Sequence, residues 1–391
     1  MKILMIAPEP IFEPRGTPLS VVGRLKALSD MGHEVDLLTY PMGEDVRFPG
    51  LRIYRIPSLP GIRRVKIGPS LKKIPLDFFL MCKTVIQLLK TRYDIIHTHE
   101  EAGFWGIFMS RLSGIPHVYD MHSSLPQQLE NFQFTRSPIW IGLFRSLENW
   151  VLKYAAGVIT ICPDLQQYVQ KQLPGMPSML IENVVDYGMI FESEDRPEVI
   201  RDRYGLRGRK VVLYTGTFEP YQGLDLLIES AAIVLNERGD VLFLMVGGHP
   251  DQVEKYRMMA GKAGISDKMI FTGQVPPNEV SSFIQCADIL VSPRKAGTNT
   301  PLKLYAYLRS GVPVVATNLW THVQVLNERV SVLTEANPVA FARGMLRVLR
   351  TPSLAKKTGR EARALASERY SYPVYLSKLE SLLRTATTGG R

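Results

Sequence analysis

Cysteine is scarce in this chain of 391 residues. Cys82, Cys162 and Cys286 stand far apart, are odd in number and form no CxxC pair, so neither a disulfide framework nor a cysteine-based zinc site is indicated. Long apolar runs are missing too. The opening "MKILMIAPEP" holds too short a run for a secretory signal. Lys83, Arg145 and Glu148 interrupt the longer apolar stretches, so no membrane span is expected and a reducing cytoplasm is the expected compartment. Low-complexity tracts and short-period repeats are absent. So is a GxGxxG fingerprint, since "TGTFEPYQG" and the loop around Gly16 both depart from it; a nicotinamide-dependent dehydrogenase loses its main support.

Acidic residues are missing from one region in particular. Between Arg47 and Arg92, eleven Lys or Arg residues face a single acid, Asp77, an excess equal to the net charge of +10 carried by the whole chain. The rest is balanced, so nucleic acid is not an expected partner. The basic run lies beside "LDFFLMCKTVIQLLK", a helical stretch that is apolar apart from a strip at Lys83, Thr84, Gln87 and Lys90. Cations beside an apolar helix suit an anionic membrane surface contacted through residues 47–92, which would place the protein peripherally at the inner face of the cell membrane. A core helix flanked by solvated lysines fits the same residues.

What the chain does contain is alternation. Apolar strands such as "KILMIA", "HEVDLLTY", "YDIIHTH", "PHVYDMH" and "GVITIC" alternate with helices, the first spanning Leu19 to Met31 and a long one around Ile139 to Tyr154. Periodicity lapses across "DYGMIFESEDRPEVI", and the pattern restarts with "KVVLYTGTF", "GLDLLIESAAIVLNE", "DVLFLMVGG", "KMIFTGQV", "DILVSP" and "PVVAT". The fold class expected is therefore α/β, two Rossmann-like doubly wound domains with parallel sheets, whose ligands bind beyond the carboxyl ends of the strands in a cleft between the domains.

Candidate chemistry sits at strand ends. Gly16, with Thr17 after it, precedes a helix and lets backbone N–H groups approach an anion, although a turn glycine is the simpler reading. His97 and His99 share one face of a strand end beside Glu100 and Glu101. They raise the question of a metal, but no third ligand motif accompanies them, and hydrogen-bonded structural histidines explain the pair, so no metal is expected. His122 closes a separate strand.

The stretch "SPRKAGTNTPLKLYAYLRSGVPVVAT" is the most specific. Thr300 and Pro301 read as an N-cap and first helical residue, Lys303 falls in the first turn against the helix dipole, Arg294 adds a second cation, and Gly297 lets the loop come close. A diphosphate is the natural occupant.

These pieces, in order, resemble family 4 (group 1) glycosyltransferases of the GT-B fold over nearly the whole chain: "RGTP", "YDIIHTH", "PHVYDMH", "AAGVITIC", "IENVVD", "LYTGTFEPYQGLDLLIES", "FTGQV" and "PLKLYAYLRSGVPVVAT". The resemblance implies retaining, metal-independent transfer of a sugar from a nucleotide diphosphate sugar, without a cofactor, to a glycan such as a cell-envelope polysaccharide, a lipid-linked acceptor or another hydroxyl. It implies an acceptor-side domain over residues 1–186 and a nucleotide-sugar domain over 187–369. "ERYSYPVYLSKLESLL" within 370–391 would be a last helix crossing back to the first domain. His122 would lie near the donor sugar and carry the catalytic role. The donor set would be Gly16, Thr17, Gly216, Thr217, Arg294, Gly297, Thr298, Asn299, Thr300 and Lys303, with His97, His99 and Glu100 on the acceptor side.

The sequence departs from the family pattern at four positions. The Glu-x7-Glu pair falls on Thr298 and Ala306, and the usual Arg and Lys of the diphosphate site fall on Thr217 and Gln222. A donor site rebuilt from Arg294, Lys303 and loop amides is expected. A sugar-nucleotide epimerase and a noncatalytic sugar-nucleotide or glycan-binding protein are the alternatives on the same architecture.

Overall fold

A computed structural model describes residues 1–12, 16–62, 65, 70–126, 137–184, 190 and 196–388. The chain divides into two compact units, one made of Met1–Asn183 with Tyr372–Arg391, the other of Val184–Ser371. Each is built on a parallel sheet with helices, the two-domain α/β arrangement of the GT-B fold.

The first unit holds a seven-stranded sheet of order β3-β2-β1-β4-β5-β6-β7, formed by β1 (Lys2–Ala7), β2 (Glu34–Thr39), β3 (Leu51–Arg55), β4 (Ile95–His99), β5 (His117–Met121), β6 (Gly157–Thr160) and β7 (Ser178–Leu180). The central strands are buried along their length, as continuous runs such as "KILMIA" require when helices cover both faces. The helices are α1 (Gly16–Asp30), α2 (Lys73–Lys90), α3 (Ala102–Ser113), α4 (Pro138–Tyr154) and α5 (Pro163–Gln172). β3 lies inside the basic run, where charge hides its alternation; Arg52 turns outward and pairs with Asp36, while the half-buried Arg55 pairs with Asp45, acids supplied by other segments.

The second unit holds β8 (Lys210–Thr215), β9 (Val241–Val246), β10 (Met269–Gly273), β11 (Ile289–Ser292), β12 (Val314–Thr317) and β13 (Val332–Thr334) in the order β10-β9-β8-β11-β12-β13. Its helices are α6 (Pro197–Arg203), α7 (Leu224–Glu237), α8 (Pro250–Lys262), α9 (Val280–Gln285), α10 (Lys303–Ser310), α11 (Trp320–Val323), α12 (Pro338–Arg350) and α13 (Pro352–Arg369). The last helix, α14 (Tyr372–Thr388), belongs to the first unit, where Leu379, Leu382 and Leu383 are buried. A Cβ on Gly157 would come within 3.0 Å of Leu382, so the missing side chain is what lets this helix lie against β6.

Two local expectations are corrected. α1 already includes Gly16, three residues before the sequence pattern places its start, so Gly16 is helical rather than part of a loop. The helix after Pro301 begins at Lys303, and Thr300 does not cap it. Pro301 and Leu302 form a tighter turn first, with carbonyls accepting from the N–H groups of Leu304 and Tyr305. Arg15 of the "RGTP" loop, Arg63, Arg64 and most of the interdomain stretch lie outside the described residues.

Candidate functional site

In each sheet the strand order reverses once, between β1 and β4 and between β8 and β11. The crevice beyond the carboxyl ends of such a pair is where open α/β sheets bind ligands. Gly216 follows β8 directly, and Arg294 stands two residues beyond β11. The "TGT" and "PRKAGTNT" loops therefore meet at the switch point of the second unit.

Two cations meet there. Lys303, at the first position of α10, extends its ammonium to the Thr215 carbonyl at 3.1 Å and lies 3.7 Å from the centre of the Tyr214 ring. Arg294 is buried, stacks 5.0 Å over Tyr221, and donates to the Asn299 carbonyl and the Thr321 hydroxyl, each at 2.7 Å. Among the described residues no carboxylate pairs with either. Desolvation, and then Arg294, push the Lys303 ammonium well below its ordinary range; burial likewise lowers Arg294. The two glycines abut these charges with left-handed backbones, Gly216 at φ 133° and Gly297 at φ 124°. A Cβ on Gly297 would lie 3.2 Å from the Arg294 guanidinium, and one on Gly216 would lie 3.6 Å from the Lys303 ammonium.

The remaining donor candidates have mixed fates. The Thr217 carbonyl accepts from Tyr214 and the Thr298 carbonyl from Gln324, so both serve the loop through their backbone. The Thr300 hydroxyl, freed from the capping role, is buried with no hydrogen-bond partner among the described residues. Tyr214 and Tyr221, the rings that cover the cations, were not singled out in the sequence; an aromatic near a strand end has no distinguishing spacing.

In the first unit the histidines converge. β4 presents His97 and His99 on one face, their rings stacked with centroids 5.0 Å apart. The parallel register sets His99 opposite Asp120 of β5, and His122 follows two residues later on the same face. Arg24 of α1 donates from Nε to Asp120 at 2.8 Å, His97 Nε2 lies 3.3 Å from the same oxygen, and His99 Nδ1 lies 2.9 Å from His122 Nε2. Every one of these side chains is buried. Burial alone would raise the Asp120 carboxyl, but Arg24 and the surrounding imidazoles hold it well below the ordinary range; burial keeps the rings neutral and lowers His122 to about 4.

Asp120 and Arg24 went unremarked in the sequence. The two-residue spacing of Asp120 and His122 carried a signal; Arg24 on its helix carried none. His97, His99 and Asp120 offer three ligand atoms within 4.8 Å of one another. A divalent ion there would, however, press against the buried Arg24 guanidinium that already neutralises the only carboxylate of the set, so the geometry fits a charge-compensated hydrogen-bonded core.

Glu100, at the end of β4, takes a left-handed backbone at φ 47°, a strain of order 1 kcal/mol for a residue with a side chain. Ser123 donates to its carboxylate at 2.9 Å. Burial, then Glu101, raise the Glu100 carboxyl to about 8, and the same two causes raise Asp77 to about 7; Lys73 pairs with Glu101.

α2 turns Thr84 and Gln87 of its polar strip inward and leaves Lys90 exposed. Thr84 and Gln87 face the core with Leu76 and Leu80, and Gln87 bonds Tyr93 at 2.7 Å and Asp36 at 3.3 Å. The opposite face exposes Ile74, Phe78, Ile86 and Leu89, the last 83% accessible, and Leu71 is exposed just before the helix. Phe108 and Leu112 on neighbouring α3, and Ile139, Trp140 and Leu143 on α4, which packs on α3, are exposed as well. Among the described residues no helix is long and apolar enough to cross a membrane.

Residues 16–188 match the model of Glycosyltransferase Family 4, and residues 197–365 that of Glycosyl transferases group 1. The phosphatidyl-myo-inositol mannosyltransferase of Mycobacterium tuberculosis is 26% identical over 405 aligned positions, covering 100% of this chain and 98% of its own. Among solved structures, sucrose-phosphate synthase of Thermosynechococcus elongatus superposes with a TM-score of 0.78 at 19% identity over 99% of both chains. Anabaena HepE in complex with UDP-glucose gives 0.74 at 18% identity over 99% of this chain and 100% of its own.

Proposed function

Since this chain belongs to the family 4, group 1 glycosyltransferases, enzymes of sugar transfer, we propose that it moves a sugar from a nucleoside diphosphate donor to a hydroxyl acceptor with retention at the anomeric carbon. The second unit holds the nucleotide and the first the acceptor. The observation that carries the reading is the pair Arg294 and Lys303, two desolvated cations at a sheet's switch point, flanked by left-handed glycines and paired with no acid among the described residues. Such a pair suits a diphosphate, whose charge grows as the sugar departs, and preformed cations stabilise that change more than they stabilise the ground state. Arg294 and Lys303 thus take over from the cations missing at Thr217 and Gln222. The exposed Thr298 and the Ala306 methyl leave the ribose without its family carboxylates.

No carboxylate nucleophile enters this reading. The acceptor attacks the face that the diphosphate leaves, His122 contacts the donor sugar, and Glu100 with its raised carboxyl orients an acceptor hydroxyl. No metal or cofactor is required. The mycobacterial mannosyltransferase and the UDP-glucose complex of HepE support a nucleotide sugar as donor and a glycan or lipid as acceptor. A lipid acceptor agrees with the apolar flank of α2, α3 and α4, through which the enzyme rests on an anionic bilayer; Lys72, Lys90 and Arg111 are exposed on the same helices or at their ends.

The test is a panel of nucleotide sugars with and without candidate acceptors. Release of free nucleotide that depends on acceptor supports transfer. Sugar isomerisation without acceptor would make the protein an epimerase, and donor binding without turnover would make it a binding protein.

A further inference from the structure

We propose that Asp120, held by Arg24, is a positioning residue that fixes the tautomer of His122 with the proton on Nε2, and that the Tyr375 ring of α14 completes this device. The proposal rests on the reading of His122 as the contact to the donor sugar. It concerns what prepares that contact.

Neutral His99 and His122 share a single proton between His99 Nδ1 and His122 Nε2, 2.9 Å apart. Asp120 decides which ring owns it. Its Oδ2 is taken by Arg24 and His97, whereas Oδ1 is buried with no hydrogen-bond partner among the described residues and lies 3.4 Å from His122 Nε2. His99 Nδ1 lies 3.9 Å from the carboxylate. A proton on His122 therefore sits closer to the negative charge, in surroundings where burial strengthens that preference. A neutral ring protonated at Nε2 carries its lone pair on Nδ1, so toward a sugar hydroxyl His122 acts as an acceptor.

The position of Asp120 depends on Arg24 in turn. The terminal nitrogens of Arg24 have no hydrogen-bond partner among the described residues, and its guanidinium lies 5.0 Å over the Tyr375 ring. Among the described residues Asp120 and this ring hold the cation, which gives α14 a part in preparing a residue more than two hundred positions earlier in the sequence.

Nitrogen NMR of the full chain labelled at its seven histidines reads the tautomer, with His122 assigned by the signal lost in His122→Gln. The expected result is a neutral ring protonated at Nε2, changing toward the other tautomer in Asp120→Asn. Tyr375→Leu should move the same signal and lower kcat by about tenfold with KM for the donor little changed, while Tyr375→Phe, which keeps the ring, restores both. A wild-type ring protonated at Nδ1 overturns the proposal, as does an unchanged tautomer in folded Asp120→Asn. If Asp120→Asn does not fold, the two Tyr375 variants decide: a Tyr375→Leu protein with the wild-type signal and kcat overturns it equally. Full turnover in His122→Gln would instead remove His122 from the sugar and sink the functional reading, while the NMR result would still judge the device.

Discussion

The carboxyl ends of the two sheets bury positive charge in opposite ways. Beyond β4 and β5 the Arg24 guanidinium meets Asp120 at 2.8 Å, and three imidazoles gather on the same carboxylate, so the charge is settled within the fold. Beyond β8 and β11, Arg294 and Lys303 meet, among the described residues, carbonyls, a hydroxyl and two tyrosines but no carboxylate. A buried cation whose acid is present is compensated within the fold, whereas one held by dipoles and rings alone is destabilised by desolvation and gains from an arriving anion. The first arrangement keeps a histidine in place. On the function proposed above, the second waits for a diphosphate.

Removing the acid from the first arrangement should have the largest effect. Asp120→Ala leaves Arg24 buried without its counter-charge and should lower the unfolding free energy by about 3–5 kcal/mol. Denaturant titration measures it, and a loss below about 1 kcal/mol would mean that Arg24 finds water or another partner.

The matching change in the second arrangement should act on ligand rather than on fold. Lys303→Met keeps the apolar stem and drops the charge, so stability without nucleotide should hold or rise. Binding of a nucleoside diphosphate should weaken by about 1.5–3 kcal/mol, the scale of a charge-assisted hydrogen bond. Calorimetry on the folded variant decides; equal affinity would erase the contrast between the two sheets.

A smaller effect is expected on the apolar flank, which is absent from the second half of the comparison. Phe78→Ser and Leu89→Ser should each weaken sedimentation with anionic vesicles by about 1–2 kcal/mol, less than full burial of such a side chain yields. Raising the salt should weaken it further if the exposed cations contribute. Vesicle binding that survives both substitutions would leave the helix face without this role.

How much of this was legible in the sequence differs from element to element. The continuous apolar runs of β1, β8 and β9 announced buried parallel strands, and the restart of the pattern announced a second sheet. β3 was hidden because it carries two arginines whose acids come from β2 and the Asp45 loop. The same pairing thins the basic run: the count of one acid between Arg47 and Arg92 was right, yet Arg52, Arg55 and Lys73 find acids outside it. Thr300 read as a cap from its place before proline, but a tighter turn intervenes and shifts the helix start to Lys303.

By itself, then, the sequence determined the elements and the chemistry-bearing strand ends, because apolar periodicity and the residues around glycine and proline act over a few neighbouring positions. The histidine pair, the cations of the "PRKAGTNT" loop and the missing carboxylates at Thr298 and Ala306 were all visible that way. Which face of α2 meets solvent, which rings cover Arg294 and Lys303, and that Arg24, Asp120 and Tyr375 form one buried chain were decided only by the tertiary structure. Those contacts join residues as far apart as 24, 120 and 375, and burial, which makes their charges and protons matter, exists only once the chain has closed around them.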